Sequence, residues 1–270
     1  MKGGVQVPWG GTRLPALART RTTRTHARRR EALVALGTTV LVHAPPGECQ
    51  ARAAQEEEGV HHTDERTGGS GEPGSATMAL EPGCVYKGQI VVERGETLVI
   101  EAPREAAGST SPTCWLEHVT SVPYEPVIRV LPGGTCKVEG RGCLGVRHGS
   151  PSVASNFAIE VDCGASLTLN DTMVTSATGT GIGIEGASAC SIQRCVIRDC
   201  KEHGVAAYDD IETGAVGGVV HIVDTDITGC KGYGVLARGE GVRVSVSRSR
   251  VSGGKQKYNS VAGSEITETL

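Results

Sequence analysis

Cys190, Cys195, Cys200 and His203 fall close together in CSIQRCVIRDCKEHG. Thiolates and an imidazole at short spacing are the side chains that hold zinc, and a histidine on a glycine turn can serve as a general base. A second group, Tyr208, Asp209, Asp210 and Glu212 in AAYDDIETG, offers different chemistry. Carboxylates facing each other across a glycosidic bond hydrolyse it, and Asp224 or Asp226 could complete such a pair. The same aromatic beside a small acidic cluster could instead dock a basic partner, or simply solubilise a loop. Which chemistry is open depends on the elements that position these residues.

The chain has 270 residues and a net charge of −3, which gives no reason to expect a nucleic-acid partner. Glycine accounts for 38 residues and aromatics for only 3%. After about position 80 the apolar residues are mostly Val and Ile, which predicts many short strands joined by Gly-rich turns. There is no run of 18 or more apolar residues, the length needed to span a membrane.

The first 75 residues differ in kind. Arg13, Arg19, Arg21, Arg24, Arg28, Arg29 and Arg30 precede the first acid, Glu31, in a Thr-rich stretch with the composition of an organellar transit peptide. ALVALGTTVLVHA resembles a signal-peptide core but follows an unusually long basic region, and a disordered basic tail is an equal alternative. QEEEGVHHTDERTGGSGEPGS reads as a solvated linker, with His61 and His62 an exposed pair. The expected organisation is a basic, disordered or targeting segment with its linker over 1–75, a folded domain over 76–258, and a tail over 259–270.

Inside the domain a repeat is visible. LNDTMV, IQRCVI, IVDTDI and VSRSRV each begin and end on an aliphatic residue five apart, and Val138 and Cys143 in VEGRGC are assigned to the same frame. Eight beyond the second position come Ile182, Val205 and Val235, each after a glycine, and ten before the first come Ile128, Ile159 and Ile182. The first positions Val138, Leu169, Ile192, Ile222 and Val246 are spaced by 31, 23, 30 and 24 residues. A unit of 22 to 24 residues with period-2 segments such as SLTL and VHIV matches a coil of a parallel β-helix rather than a leucine-rich or helical repeat. Each coil pairs with the next about 4.8 Å away, and no coil can bury its apolar face alone.

This frame reassigns the cysteines. Cys190 aligns with Leu167 and Val220 as an inward strand residue, and Cys195 with the small polar Thr172, Thr225 and Ser249. Cys200 and Cys230 each lie three beyond an inward isoleucine and should stack in adjacent coils. Core packing is the favoured reading, with a disulfide or a metal site as alternatives. The ten cysteines thus suit a reducing, intracellular setting, or an organellar or secreted one if the N-terminal segment is a targeting peptide. His203 takes the slot of Thr180 and Tyr233, which reads as a turn surface.

GASLTLNDTMVTSATGTGIGIEGASACSIQRCVIRDC, followed by VVHIVDTDITGCKGYGVLAR, resembles the right-handed β-helix repeats of the Shc-binding, spindle-associated proteins and of the F-box-associated β-helix proteins. MALEPGCVYKGQIVVERGETLVIEAP is similar to the entry coil of such domains. The resemblance implies an all-β, right-handed, single-stranded parallel β-helix of the pectin-lyase-like kind, of about five to seven coils. It also implies a non-enzymatic protein-interaction platform. No F-box-like helical segment precedes the coils, and the large N-terminal region of the Shc-binding relatives is missing.

Enzymes share this fold class, so a polysaccharide-binding or polysaccharide-degrading protein is the alternative. Polygalacturonases also show N-x-D, G-H-G and R-x-K, which are absent from the coils, where EHG is only a fragment. Arg194 and Arg198 are available for lyase chemistry, but no acidic calcium-binding cluster faces them. The expectation is therefore no catalytic residue, no metal and no cofactor. The partner is a protein, with carbohydrate the alternative, and the contact surface lies on the loops that lengthen coils: GVRHGSPSVASN, and AAYDDIETGAVGG with Tyr208, Asp209, Asp210 and Glu212.

Overall fold

A computed structural model describes residues 53–54, 74–103, 111–149, 157–210 and 213–270. The N-terminal segment therefore lies almost wholly outside the described residues, as does Glu212. Every regular element among the described residues is a β-strand.

Three parallel ladders organise the chain from residue 75 onward. The first runs through Ser75–Ala79, Thr97–Glu101, the start of Thr135–His148, the start of Ser166–Ser176, Ala189–Gln193, Val219–Val223, Arg243–Ser247 and Glu265–Thr269. The second takes Val85–Lys87, Cys114–His118, the ends of the same two long strands, Val196–Arg198, Asp226–Thr228 and Arg250–Val251. The third is a sheet of seven strands: Ile90–Val92, Ile128–Val130, Ile159–Val161, Ile182–Glu185, Val205–Tyr208, Tyr233–Arg238 and Gln256–Val261. Each coil contributes one strand to each ladder in turn, which is the parallel β-helix. Ala53–Ala54 is the exception, pairing antiparallel with Thr77 and Met78.

The register is the one the repeat predicts. Ile100, Val138, Leu169, Ile192, Ile222 and Val246 form one inward column. Val146, Val174, Ile197, Ile227 and Val251 form another, and Ile128, Ile159, Ile182, Val205 and Val235 a third. All of these are buried. β-Branched residues suit these columns because each stands on a pleated surface between like neighbours above and below.

The corner between the first and second ladders carries the strain of the coil. Asp171, Arg194, Asp224 and Arg248 adopt φ of 47°, 51°, 49° and 46°. A left-handed conformation costs a non-glycine residue about 1–2 kcal/mol. Stacked in successive coils, these residues alternate in sign. Arg194 Nε and Nη2 each donate to Asp171 at 2.8 Å, and Arg248 Nε and Nη2 donate to Asp224 at 2.8 and 2.7 Å. Exposed pairs contribute little individually, but these two tie coil to coil where the ladder is interrupted. Just inside, a column of short side chains takes up the freed amides: Cys195 N donates to Thr225 Oγ1 at 3.2 Å and Thr225 N to Ser249 Oγ at 3.0 Å.

Two details depart from the sequence reading. The partner of Val174 is Val146, not Cys143, because Gly140 to Cys143 stand against Asp171 alone. This bulge uses positive φ at Arg141 (50°) and Gly142 (77°), and Cys143 stays buried with its thiol donating to Pro103 O at 3.1 Å. The ladders also run beyond 258, through the stretch read as a tail. Tyr258, seven beyond Val251, stands opposite Val235, which is eight beyond Ile227, since the turn after Val251 is one residue shorter. Its glycines permit this: a Cβ at Gly253 would lie 2.3 Å from Gln256 O.

Ile197→Asp should abolish the cooperative thermal transition seen by circular dichroism. Ile197 is 0% exposed, and the change combines the loss of an aliphatic core side chain (about 2–5 kcal/mol) with burial of an unpaired carboxyl. Asp209→Ala, at the end of the third ladder, should leave that transition within about 1 kcal/mol of wild type.

Candidate functional site

Tyr208, Asp209 and Asp210 leave the third ladder together, all half-buried. Tyr208 closes Val205–Tyr208, between Glu185 in the preceding coil and Arg238 in the following one. Burial pushes its phenol up to about 12. Asp209 lies over Gly239, whose φ is 118° and where a Cβ would fall 2.2 Å from Asp209 Cγ, so only glycine fits. Asp210 is a turn residue. Its amide donates to Ala215 O at 3.0 Å, and its carboxylate accepts from Thr213 N at 3.2 Å and Thr213 Oγ1 at 2.5 Å. The structure thus presents Tyr208 and Asp209 from a rigid strand end and uses Asp210 to shape the loop behind them.

The carboxylates proposed to complete a hydrolytic pair are elsewhere. Asp224 sits at the strained corner on Arg248, which holds its carboxyl below the usual range. Asp226 belongs to the second ladder, opposite Val196 and Arg250. Neither faces Asp209 or Asp210 from the third ladder.

The sequence reading missed the outer face of that ladder. Between its inward columns runs an outward row of Arg129, Glu160, Gly183, Ala206 and Leu236. Most of this row is covered: Glu160 is 6% exposed, Ala206 0% and Leu236 7%. Phe157 closes over Gly183, where a Cβ would come within 2.6 Å of the ring. At one end Arg129 bridges Glu160 (3.5 Å) and Asp162 (3.1 Å). Burial opposes the Arg129 charge, and the two carboxylates outweigh it, so its pKa stands above the usual guanidinium value.

Two rims flank this band. One carries Phe157, Thr180, His203 and Tyr233; the other Asp162, Glu185, Tyr208 and Arg238, continued by Asp209 and Asp210. His203 and Tyr233 stack with centroids 5.3 Å apart and planes 12° apart, and Lys255 Nζ lies 5.7 Å from the Tyr233 centroid. Tyr233 N donates to His203 Nδ1 at 3.0 Å. That nitrogen is therefore an acceptor, which fixes the neutral tautomer, and burial with help from Lys255 lowers the histidine pKa. His203 is thus engaged in packing along the solenoid axis.

Cys190 is inward between Leu167 and Val220, and burial pushes its thiol well up. Burial raises Cys195 to about 12. Cys136, Cys143, Cys163, Cys190, Cys195, Cys200 and Cys230 are free thiols, and no group of three or more His, Cys, Asp or Glu among the described residues is placed to hold a metal ion.

One buried polar cluster also had no periodic signal. His148 is 1% exposed, with Nε2 3.0 Å from Glu125 O and Nδ1 3.1 Å from Thr178 Oγ1. His118 is its edge-on neighbour, at 6.1 Å between centroids. Burial lowers the His148 pKa, opposed by the bond to Glu125 and reinforced by His118.

Residues 135–251 match the family model for a right handed beta helix region. The match covers the coils whose corner and inward columns are most regular, and the chain folds as an all-β, right-handed parallel β-helix. No curated protein and no solved structure matches the chain.

Because His148 is neutral in the fold and free to protonate when unfolded, its depressed pKa favours the folded state above the unfolded value of about 6.5. That contribution is lost as pH falls from there toward the folded value. The thermal midpoint should therefore drop between pH 7 and pH 5, and His148→Asn should start lower at pH 7 but show a shallower drop across the same interval.

Proposed function

We propose that this chain is a non-catalytic binding platform, and that a protein partner docks on the acidic rim of the third ladder. The observation that carries this reading is the placement of Glu185, Tyr208 and Asp209 side by side on adjacent coils, half-buried, with Glu185 and Tyr208 held by strand pairing and Asp209 by its amide bond to Arg238 O. With Asp162 and Asp210 nearby, the rim is richer in carboxylates than in guanidinium groups, of which Arg129 and Arg238 are the local examples. An aromatic among fixed carboxylates suits an extended segment bearing Lys or Arg: the charges steer encounter, and the phenol ring adds contact area. The resemblance of the coils to the Shc-binding and F-box-associated β-helix repeats supports protein binding. The free thiols support a reducing, intracellular setting.

Polysaccharide binding is the second reading, favoured by the breadth of chemistry on this fold. Two observations weigh against it. The His203 and Tyr233 ring faces are turned on each other and on Lys255, so they do not offer a flat platform to a sugar ring. An acidic rim also repels uronate chains.

Fluorescence polarisation with the full chain tests the choice. Labelled Lys/Arg-rich peptides should bind and weaken with rising salt, as screening shortens the Debye length to about 8 Å at 0.15 M. Glu185→Gln combined with Asp209→Ala should weaken them roughly tenfold, in keeping with loss of about 1–2 kcal/mol from two partly exposed charge contacts. Binding only to neutral or uronate oligosaccharides, unaffected by the double variant, would overturn the proposal.

A further inference from the structure

The Cys200 and Cys230 thiols occupy equivalent points in consecutive coils, each three residues beyond the paired Ile197 and Ile227. The ladder continues through them, since Asp199 N donates to Thr228 O at 3.1 Å and Lys231 N to Cys200 O at 3.0 Å. In-register neighbours in a parallel ladder are about 4.8 Å apart, inside the Cα range of roughly 4.4–6.8 Å that a disulfide spans. Both side chains point inward, 1% and 2% exposed, with Cys200 Sγ donating to Arg198 O and Cys230 Sγ to Thr228 O, each at 3.6 Å. The neighbouring column is glycine: a Cβ at Gly181 would lie 3.0 Å from Cys200 Sγ, and one at Gly204 3.3 Å from Cys230 Sγ. The small residues leave the sulfurs each other as a lateral partner.

Packing alone does not distinguish this pair from Cys190 or Cys195, whose column neighbours are Leu167 and Val220, or Thr172 and Thr225. Cys200 and Cys230 have a cysteine in register, as Cys84 and Cys114 do beside the Val85–Trp115 pair, and they differ from that pair in both being buried at a corner whose flanking residues Asp199, Lys201, Gly229 and Lys231 are exposed. We propose that Cys200 and Cys230 are a redox modification site, at which a peroxide converts the stacked thiols into a disulfide that staples two adjacent coils. This goes beyond the docking proposal and does not depend on it, although the stapled coils are the ones that carry Tyr208 and Tyr233.

The chemistry balances in two steps. The Cys230 sulfur attacks a peroxide oxygen, the O–O bond breaks, and Cys230 becomes a sulfenic acid as hydrogen peroxide is reduced to water. The Cys200 sulfur then attacks the sulfenic sulfur, the S–O bond breaks, a second water leaves with the Cys200 proton, and the S–S bond forms.

The test is to treat the folded full chain with hydrogen peroxide and map thiols by alkylation and peptide mass spectrometry. The expected product is a single Cys200–Cys230 cross-linked peptide, reversed by dithiothreitol, with the thermal midpoint raised by several degrees. In Cys200→Ser, Cys230 should stop at a sulfenic acid that dimedone traps. The half-buried Cys84 and Cys163 are internal competitors. Recovery of both Cys200 and Cys230 as free thiols while those two oxidise would overturn the proposal. Overoxidation of Cys230 to a sulfinic acid in the wild-type chain, without cross-linking, would overturn it equally.

Discussion

In-register stacking of one coil on the next is the constraint on which everything else in this molecule rests. A coil has an apolar inner side too small to bury itself, so its Val and Ile columns become a core only when the neighbours above and below supply the same residue type at the same height. Backbone pairing imposes the same condition, since each coil completes the hydrogen bonds of the previous one. The Asp/Arg corner shows how firmly the register is held: four non-glycine residues keep left-handed backbones in successive coils, and their side chains alternate in sign down the stack.

Regular stacking also explains how much was legible in the sequence. The offsets that related Leu169, Ile192 and Ile222 could be counted, and with them came the inward columns and the placement of Cys190 and Cys195. Counting failed where the coil length changed inside a repeat. The bulge from Gly140 to Cys143 put an apolar residue, Cys143, five positions after Val138, so the frame looked intact while the true partner of Val174 was Val146. One residue lost from the turn after Val251 shifted the frame by one, so the offset of eight misses Tyr258.

The surface was less legible, for a physical reason. Outward residues need not repeat, because they lie outside the stacked inward columns, and the band from Arg129 to Leu236 mixes Arg, Glu, Gly, Ala and Leu, so it left no periodic trace. Its ion pairs join residues more than thirty positions apart, and His148 finds Glu125 and Thr178 across separations of 23 and 30. Of the residues singled out beforehand, Tyr208 and Asp209 stand on a rigid strand end, and Asp210 is engaged in its own turn. Glu185 joins the rim only because the coils stack, which no local motif could reveal.

The proposed docking of a basic partner depends on what a rigid ladder presents at its edge. Backbone hydrogen exchange of the full chain, with and without a Lys/Arg-rich peptide, tests that claim most directly. The account predicts added protection confined to the stretch around Glu185 and to the segment from Tyr208 into the following loop, with the inward columns unchanged. Protection appearing on the first or second ladder instead, or only when an oligosaccharide replaces the peptide, would contradict it.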